Sequence, residues 1–195
     1  NILPTITCAA DQSQSVDPGT CSAAVTVIAP ASADNCAVVS STNDFNGSAD
    51  ASDIYPVGTT TVTWTVLDAA GNSATCTQDI TVIDDEIPGI ICAADMTQTA
   101  DAGLCSAEVS WNEPTASDNC NVENFTSNYT SGSLFPVGIT TVTYTATDAA
   151  GNSVSASFNV RVNDTENPVL DNVSLPVLNA ECRISTLTSP TATDN

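Results

Sequence analysis

The sequence predicts an all-β protein built of tandem β-sandwiches arranged end to end. Three observations carry this. Composition suits strands: hydrophobic residues reach 42%, aromatics only 5%, and Thr, Val, Ala and Ser dominate, with β-branched side chains well placed on a pleated surface. Apolar and threonine positions alternate with period two in Thr61–Val66 and again in Thr141–Ala146, the mark of a half-buried strand. A unit of about 80 residues then recurs, too long for a solenoid repeat and of the size of a small independent sandwich.

The repeat fixes the element order. The stretch from Tyr55 to Ser73 parallels that from Phe135 to Ser153, at an offset of 135 − 55 = 80. Cys8, Cys21 and Cys36 match Cys92, Cys105 and Cys120 at an offset of 84, so the second unit is four residues shorter between Cys36 and Tyr55. After the strand at 61–66 comes a turn, Asp68-Ala-Ala-Gly71-Asn72, whose aspartate, glycine and asparagine supply turn conformations that other residues resist. Thr77–Ile83 is the strand that follows. No amphipathic helix is visible. Ile83-Asp-Asp-Glu-Ile-Pro88 parallels Asn163-Asp-Thr-Glu-Asn-Pro168; each is a short, proline-stiffened linker with little slack. The chain therefore divides into 1–83, 84–163 and 164–195, the last expected to be the start of a third unit. Thr193-Asp194-Asn195 matches the segment that precedes Cys120, so a cysteine is expected next. The first residues show neither a basic nor an apolar leader region, and the chain reads as an internal piece of a longer protein.

Charge excludes several functions. There are 23 acidic residues against two basic ones, Arg161 and Arg183, no histidine, and a formal net charge of −21. Without histidine there is no Ser-His-Asp triad, Cys-His dyad or His-ligated metal. Without lysine there is no Schiff base and no phosphate-gripping P-loop lysine. Nucleic acid is not an expected partner, because two arginines make no basic patch, and an anionic membrane surface repels such a chain. No apolar run approaches the ~18 residues of a membrane span, so direct membrane insertion is not expected. Paired carboxylates can serve a glycosidase, but these acids recur at repeat boundaries as a structural device would. The chain reads as non-enzymatic.

Eight cysteines without a Cys-x-x-Cys spacing indicate disulfides rather than zinc, and so an oxidising, extracellular location, secreted or at a cell surface. Cys21 with Cys36 and Cys105 with Cys120 recur together and are expected to pair within their units. Closing a ~15-residue loop stabilises by ~3 kcal/mol in the chain-entropy model. Cys182 is expected to pair with a cysteine beyond Asn195.

Several motifs in fixed order resemble the hyalin repeat, an immunoglobulin-like β-sandwich module. They are Cys8, the pairs Asp34-Asn35 and Asp118-Asn119, the aromatic-Pro-Val-Gly runs at Tyr55 and Phe135, the Thr-Val-Thr-Trp/Tyr-Thr strands and the Asp-Ala-Ala-Gly-Asn turns. The resemblance covers both full units. It implies tandem immunoglobulin-like domains of cell-surface and matrix proteins. Leu104-Cys105-Ser106 and Ala180-Glu181-Cys182, with Asp-Asn-Cys downstream, are similar to repetitive secreted surface adhesins of Bacteroidota-type bacteria. In an immunoglobulin-like sandwich the first and last strands run parallel, which favours a Cys8–Cys76 staple, and the resemblance implies the same pair. The rival pair Cys76–Cys92 stays open: it has parity in its favour, because the next junction carries Ala156 and Asn172 at the corresponding positions.

The acids point to a cation. Linker residues Asp84, Asp85 and Glu86 are expected to converge with Asp148 and Asn152 of the following unit's turn, joined by Asp118 and Asn119. Asp164 and Glu166 repeat the linker acids, and Asp68 and Asn72 serve the first unit. Crowded carboxylate and amide oxygens suit Ca²⁺, which takes about six to eight oxygen ligands. The expected function is a structural stalk segment of an extracellular adhesin or matrix protein, rigidified by disulfides and Ca²⁺, with neighbouring repeats as its partners. The alternative is a glycan- or protein-binding module that uses the variable loops 37–54 and 121–134. Trp64, Tyr144, Trp111, Phe135 and Tyr55 are expected in the core rather than on a ligand platform.

Overall fold

A computed structural model of the chain describes residues 2–170 and 191–194. Among these, every regular element is a strand. The first repeat holds β1 (Thr5–Thr7), β2 (Gln12–Ser15), β3 (Ser22–Val25), β4 (Ala31–Ala33), β5 (Val38–Asn43), β6 (Asp53–Pro56), β7 (Gly58–Asp68) and β8 (Ser73–Ile83). The second holds β9 (Gly89–Ile91), β10 (Met96–Thr99), β11 (Ser106–Val109), β12 (Thr115–Ser117), β13 (Val122–Ser127), β14 (Ser133–Pro136), β15 (Gly138–Asp148) and β16 (Ser153–Asn163), and β17 (Val169–Leu170) pairs with β18 (Ala192–Thr193).

Both repeats use one topology. A four-stranded sheet, ordered β2-β8-β7-β5 and then β10-β16-β15-β13, carries the long strands, and the pairs β3-β6, β1-β4, β11-β14 and β12-β9 complete the pattern. β2 runs parallel to β8, whereas β7 and β8 form a long antiparallel ladder from Gly58↔Val82 to Leu67↔Ser73. The strands expected at 61–66 and 77–83 thus extend to eleven residues each. Gly71 and Gly151 sit at φ of 85° and 93°, a left-handed conformation that a side chain would resist, and so close the turns between the long strands.

Alternation builds the core. β7 turns Val62, Trp64 and Val66 inward and β8 turns Gln78, Ile80 and Val82 inward; of these, Val62, Trp64, Ile80 and Val82 share one core with Val16, Ala23, Val25 and Tyr55. Phe45 stacks on Tyr55 with ring centroids 4.3 Å apart. In the second repeat Val142, Tyr144, Phe158, Val160 and Val162 pack against Ala107, Val109 and Phe135. Trp111 meets Phe158 edge-on at 5.4 Å. Each fully buried apolar side chain contributes about 1.5–3 kcal/mol.

By contacts the chain forms two compact units: residues 1–89 with 116–125 and 146–154, and residues 90–115 with 126–145 and 155–195. Segments 116–125 and 146–154 carry Asn119, Cys120 and Asn152, whose side chains engage Thr20, Cys21 and Asp84 inside the first unit.

Candidate metal site

Strand periodicity places the first carboxylate. The inward face of β8 reads Gln78, Ile80, Val82, and one step beyond the strand it continues to Asp84, only 5% exposed. The inward faces of β7 and β15 likewise end on carboxylates, Asp68 and Asp148, both buried. A buried carboxylate needs partners. Asp68 Oδ1 accepts from the backbone N–H of Ala70 and of Asn72, both at 2.8 Å, and Asn72 Nδ2 donates to Oδ2 at 2.5 Å. In the second turn the Asn152 backbone N–H donates to Asp148 Oδ1 at 2.8 Å and Asn152 Nδ2 to Oδ2 at 2.9 Å. The Asn72 side-chain bond leads in holding the Asp68 carboxyl below the usual carboxylate range. For Asp148, burial pushes upward, and bonds from the Asn152 side chain and the turn backbone outweigh it, leaving the group lowered.

Asp84 is held differently. Its Oδ1 accepts from the backbone N–H of Glu86 and from Asn119 Nδ2, each at 3.3 Å, and its carbonyl accepts from Asn152 Nδ2 at 3.1 Å. Asn119 Nδ2 also donates to the Thr20 carbonyl at 2.9 Å. Asp118 Oδ2 accepts the N–H of Cys120 at 2.9 Å and of Asn121 at 3.3 Å. That Asx turn uses one carboxylate oxygen and spares the other. Asp118 Oδ1 and Asn119 Oδ1 are buried with no hydrogen-bond partner. The first repeat repeats the arrangement: Asp34 Oδ2 accepts from Cys36 and Ala37, and Asp34 Oδ1 is buried and unpartnered.

Potential ligand atoms of Asp84, Asp118 and Cys120 lie within 4.8 Å of one another. The Cys120 sulfur is bonded to Cys21, so it has no thiolate to offer. What remains is a set of hard oxygen donors, Asp84, Asp118 and Asn119, two of whose oxygens are orphaned. This donor chemistry fits Ca²⁺ and not a soft metal.

Of the other residues expected to ligate, Asn152 reaches the Asp84 carbonyl, and the rest are engaged elsewhere. Asp85 Oδ2 accepts from Ser15 Oγ at 2.6 Å, and Glu86 Oε1 from the Gly19 N–H at 2.8 Å. Glu166 takes the equivalent place, accepting from Gly103 N–H with both oxygens at 3.2 Å, while Asp164 Oδ1 accepts from the Glu166 N–H at 2.9 Å. Asp164 is exposed, unlike its counterpart Asp84. Asp68, Asn72 and Asp148 serve their own turns.

Of the expected cysteine pairs, Cys21–Cys36 and Cys105–Cys120 are not formed. Cys8 is bonded to Cys76, with Cα atoms 5.8 Å apart. Cys21 is bonded to Cys120, with Cα atoms 4.7 Å apart and a sequence separation of 99, instead of to Cys36. Cys36, Cys92 and Cys105 are free among the described residues, so Cys105 does not bond Cys120. The reason is topological. β3, which follows Cys21, pairs with β6, whereas β4, which precedes Cys36, pairs with β1. The segment between them is not a hairpin and does not return Cys36 to Cys21. Cys182 lies outside the described residues.

Sequence reasoning missed three polar anchors. Gln78 is buried at 1% exposure, and its Nε2 donates to the Ala10 carbonyl at 2.9 Å. Asn43, also buried, organises residues 43–48 by bonding Phe45, Asn46 and Ser48. Glu113 accepts from Tyr144 Oη at 2.5 Å, and that hydroxyl accepts from Trp111 Nε1 at 2.8 Å. Only Gln78 carried a signal, its place on the apolar register of β8. Within the variable loops, Asn43 in 37–54 spends its side chain on its own turn, and Asn128 in 121–134 spends its side chain on the backbone of β15 at Thr141 and Thr143. Among the described residues no helix is long and apolar enough to cross a membrane.

Fold and site define a tandem-repeat all-β protein with disulfides and buried acidic turn ends. A family model described as HYR domain matches residues 2–82 and again 83–162. The chain belongs to the HYR domain family. It is similar to hyalin of Lytechinus variegatus, 38% identical over 151 residues, which cover 73% of this chain and 28% of that protein. Hyalin of Strongylocentrotus purpuratus is 36% identical over 153 residues, or 76% of this chain and 12% of that protein. The chain thus spans less than a third of the curated relatives it matches. Among solved structures, the protocadherin gammaB4 extracellular domain is 19% identical, covering 98% of this chain and 37% of that one, at a TM-score of 0.39.

Proposed function

We propose that the chain is a non-enzymatic, Ca²⁺-binding structural segment of an extracellular adhesion-type or matrix protein. The observation that carries this is the pair of buried, unpartnered oxygens, Asp118 Oδ1 and Asn119 Oδ1, beside the buried carboxylate of Asp84. An orphaned buried oxygen costs about 1–3 kcal/mol, and a divalent cation removes that cost at both oxygens at once. A chain of net charge −21 with two arginines has almost no internal cation to do the same. Asp84, Asp118 and Asn119 would hold the ion, which would fix segments 116–125 and 146–154 within the first compact unit. The disulfides support an oxidising location, and membership of the HYR family together with the hyalin relatives supports an extracellular one. Mechanical continuity, not turnover, is then the work of the repeats, with neighbouring repeats as their partners.

Calorimetry of the chelator-treated chain with CaCl₂ tests this, alongside melting with and without EDTA. Binding heat and a melting temperature raised by Ca²⁺ are expected, both lost in Asp84→Asn and Asp118→Asn. No heat and superimposable melts would remove the reading.

A further inference from the structure

The two repeats lace one seam differently. In the first, Gln12 Nε2 donates to the Thr26 carbonyl at 3.0 Å and Gln12 Oε1 accepts the Ile28 N–H at 2.9 Å. Gln78 Nε2 donates to the same Oε1 at 3.2 Å and to the Ala10 carbonyl at 2.9 Å. The second repeat holds Met96 where the first has Gln12, at an offset of 84, and Phe158 where it has Gln78, at an offset of 80. Neither side chain can make such bonds, and none of them has a counterpart among the described residues. The neighbouring lace is kept: Gln14 Nε2 on the Ala24 carbonyl recurs as Gln98 Nε2 on the Glu108 carbonyl. The Ser110 carbonyl and the Asn112 N–H therefore lack the amide that serves their equivalents, Thr26 and Ile28.

A cleft of about 720 Å³ lies along that seam, within the second compact unit, a size ordinary for a small-ligand site. Met96, Trp111 and Pro114 supply apolar wall, and Asp95, Asn112 and Glu113 supply polar wall. Trp111 is half-buried. It seals the core edge-on against Phe135 and Phe158 and also lines the cleft. Its Nε1 is spent on Tyr144, so toward a ligand it offers only apolar ring. The acids are held in place, Asp95 Oδ1 by the Asn159 N–H at 2.7 Å and Glu113 Oε2 by the Tyr144 hydroxyl. That leaves Asp95 Oδ2 to accept from a ligand.

We propose that this cleft binds an N-acetylated amino sugar. The acetamide takes the place of the absent Gln12 carboxamide, its carbonyl accepting from the Asn112 N–H and its N–H donating to the Ser110 carbonyl. The acetyl methyl and the C–H face of the sugar cover Met96 and Trp111, and hydroxyls donate to Asp95 and Glu113. Ionised carboxylates only accept. On a chain of net charge −21 they select a neutral ligand rich in hydroxyl donors over an acidic one. The cleft shares no residue with the cation cluster, so this proposal stands apart from the calcium reading.

The test titrates the chain with the N-acetylglucosamine dimer, and with cellobiose as the control that lacks acetamides. Trp64 is wholly buried, so a change in tryptophan emission reports on Trp111. A saturable change is expected with the dimer. Cellobiose should bind at least about tenfold more weakly, because the backbone groups that need the amide stay unpaired. Met96→Gln restores the residue of the first repeat and should refill the seam. Binding is then expected to be lost, with no fall in the denaturant midpoint. In proton–nitrogen correlation spectra of wild type, the Asn112 backbone N–H should shift as the dimer is added, a readout that holds even if Met96→Gln does not fold. No saturable change, cellobiose binding as tightly, undiminished binding by folded Met96→Gln, or an unmoved Asn112 N–H would each overturn the proposal. Tighter binding of N-acetylglutamine amide than of the dimer would also overturn it, assigning the cleft to a peptide.

Discussion

Asn152 ties two distant carboxyl-bearing residues together: its Nδ2 donates to Asp148 Oδ2 at 2.9 Å and to the backbone carbonyl of Asp84 at 3.1 Å. One side chain thus completes its own turn and anchors a linker residue 68 positions earlier. Asn152→Ala leaves the buried Asp148 carboxylate short of a donor, at a cost of about 1–3 kcal/mol. Asn152→Asp should be worse at neutral pH, because a second carboxylate then faces the first, and should recover toward the alanine value below about pH 4, where carboxylates protonate. Denaturant unfolding of both variants at pH 7 and pH 3.5 checks this; equal stability of Asn152→Asp and wild type at pH 7 would refute it.

Acid sensitivity should trace to the turn aspartates. Asp68 and Asp148 are both held below the ordinary carboxylate range. A carboxylate with a depressed folded-state pKa contributes stability that is fully present above its unfolded value, about 3.9, and is lost as pH falls through the folded value. Wild type should therefore exceed Asp148→Asn most at pH 6–7, in the range where carboxylates are ionised, and the gap should close below about pH 3. Melting temperatures across that range, read with EDTA present to exclude cation effects, measure it. A gap independent of pH would mean that the charge of Asp148 contributes nothing.

The two repeats solve one core position differently. Trp64 has its Nε1 buried without a partner, whereas its counterpart Tyr144 receives Trp111 Nε1 and donates to Glu113. Tyr144→Phe strips the acceptor from Trp111 and the donor from Glu113, and should destabilise by about 1–3 kcal/mol. Trp64→Phe leaves no polar partner unmet and removes an orphaned donor, so the cost of its lost volume, about 1–3 kcal/mol for a partial truncation of a packed aromatic, should be partly offset. The discriminating measurement is Glu113→Gln combined with each variant. Coupling is expected with Tyr144→Phe and absent with Trp64→Phe.

The long strands were legible because period-two alternation is strong where one face is sealed: Val62, Trp64 and Val66 lie wholly inside, while the threonines between them do not. The same alternation explains why Asp84 faces the acidic cluster and Asp85 does not, a distinction the run of acids concealed. Strand β2 was unreadable, since Gln12–Ser15 has no apolar face and is held through its parallel pairing with β8. The Cys21–Cys120 bond was hidden for another reason. Loop-closure reasoning favours the nearer cysteine, yet pairing is decided by which strands are neighbours, and β3 and β4 are not. Of the acids expected to cooperate, those in the Asp-Ala-Ala-Gly-Asn turns had a local use that composition could not separate from ligation.

The second repeat lacks a staple that the first possesses. Cys8 bonds Cys76 across the edge of the first core. Cys92, at the position equivalent to Cys8, packs against the second core as a free thiol, and the position equivalent to Cys76 holds Ala156. Since β10 runs parallel to β16 as β2 does to β8, the backbone that brings Cys8 to Cys76 recurs around Cys92 and Ala156. Ala156→Cys should therefore oxidise spontaneously with Cys92. The new loop constrains the unfolded chain, and a stabilisation of about 2–4 kcal/mol is expected. Peptide mapping under non-reducing conditions should recover the new link, and unfolding of the second repeat should shift to higher denaturant only in the absence of reductant. An unlinked variant, or a linked one less stable than wild type, would show that the two edges differ in geometry despite their common strand pairing.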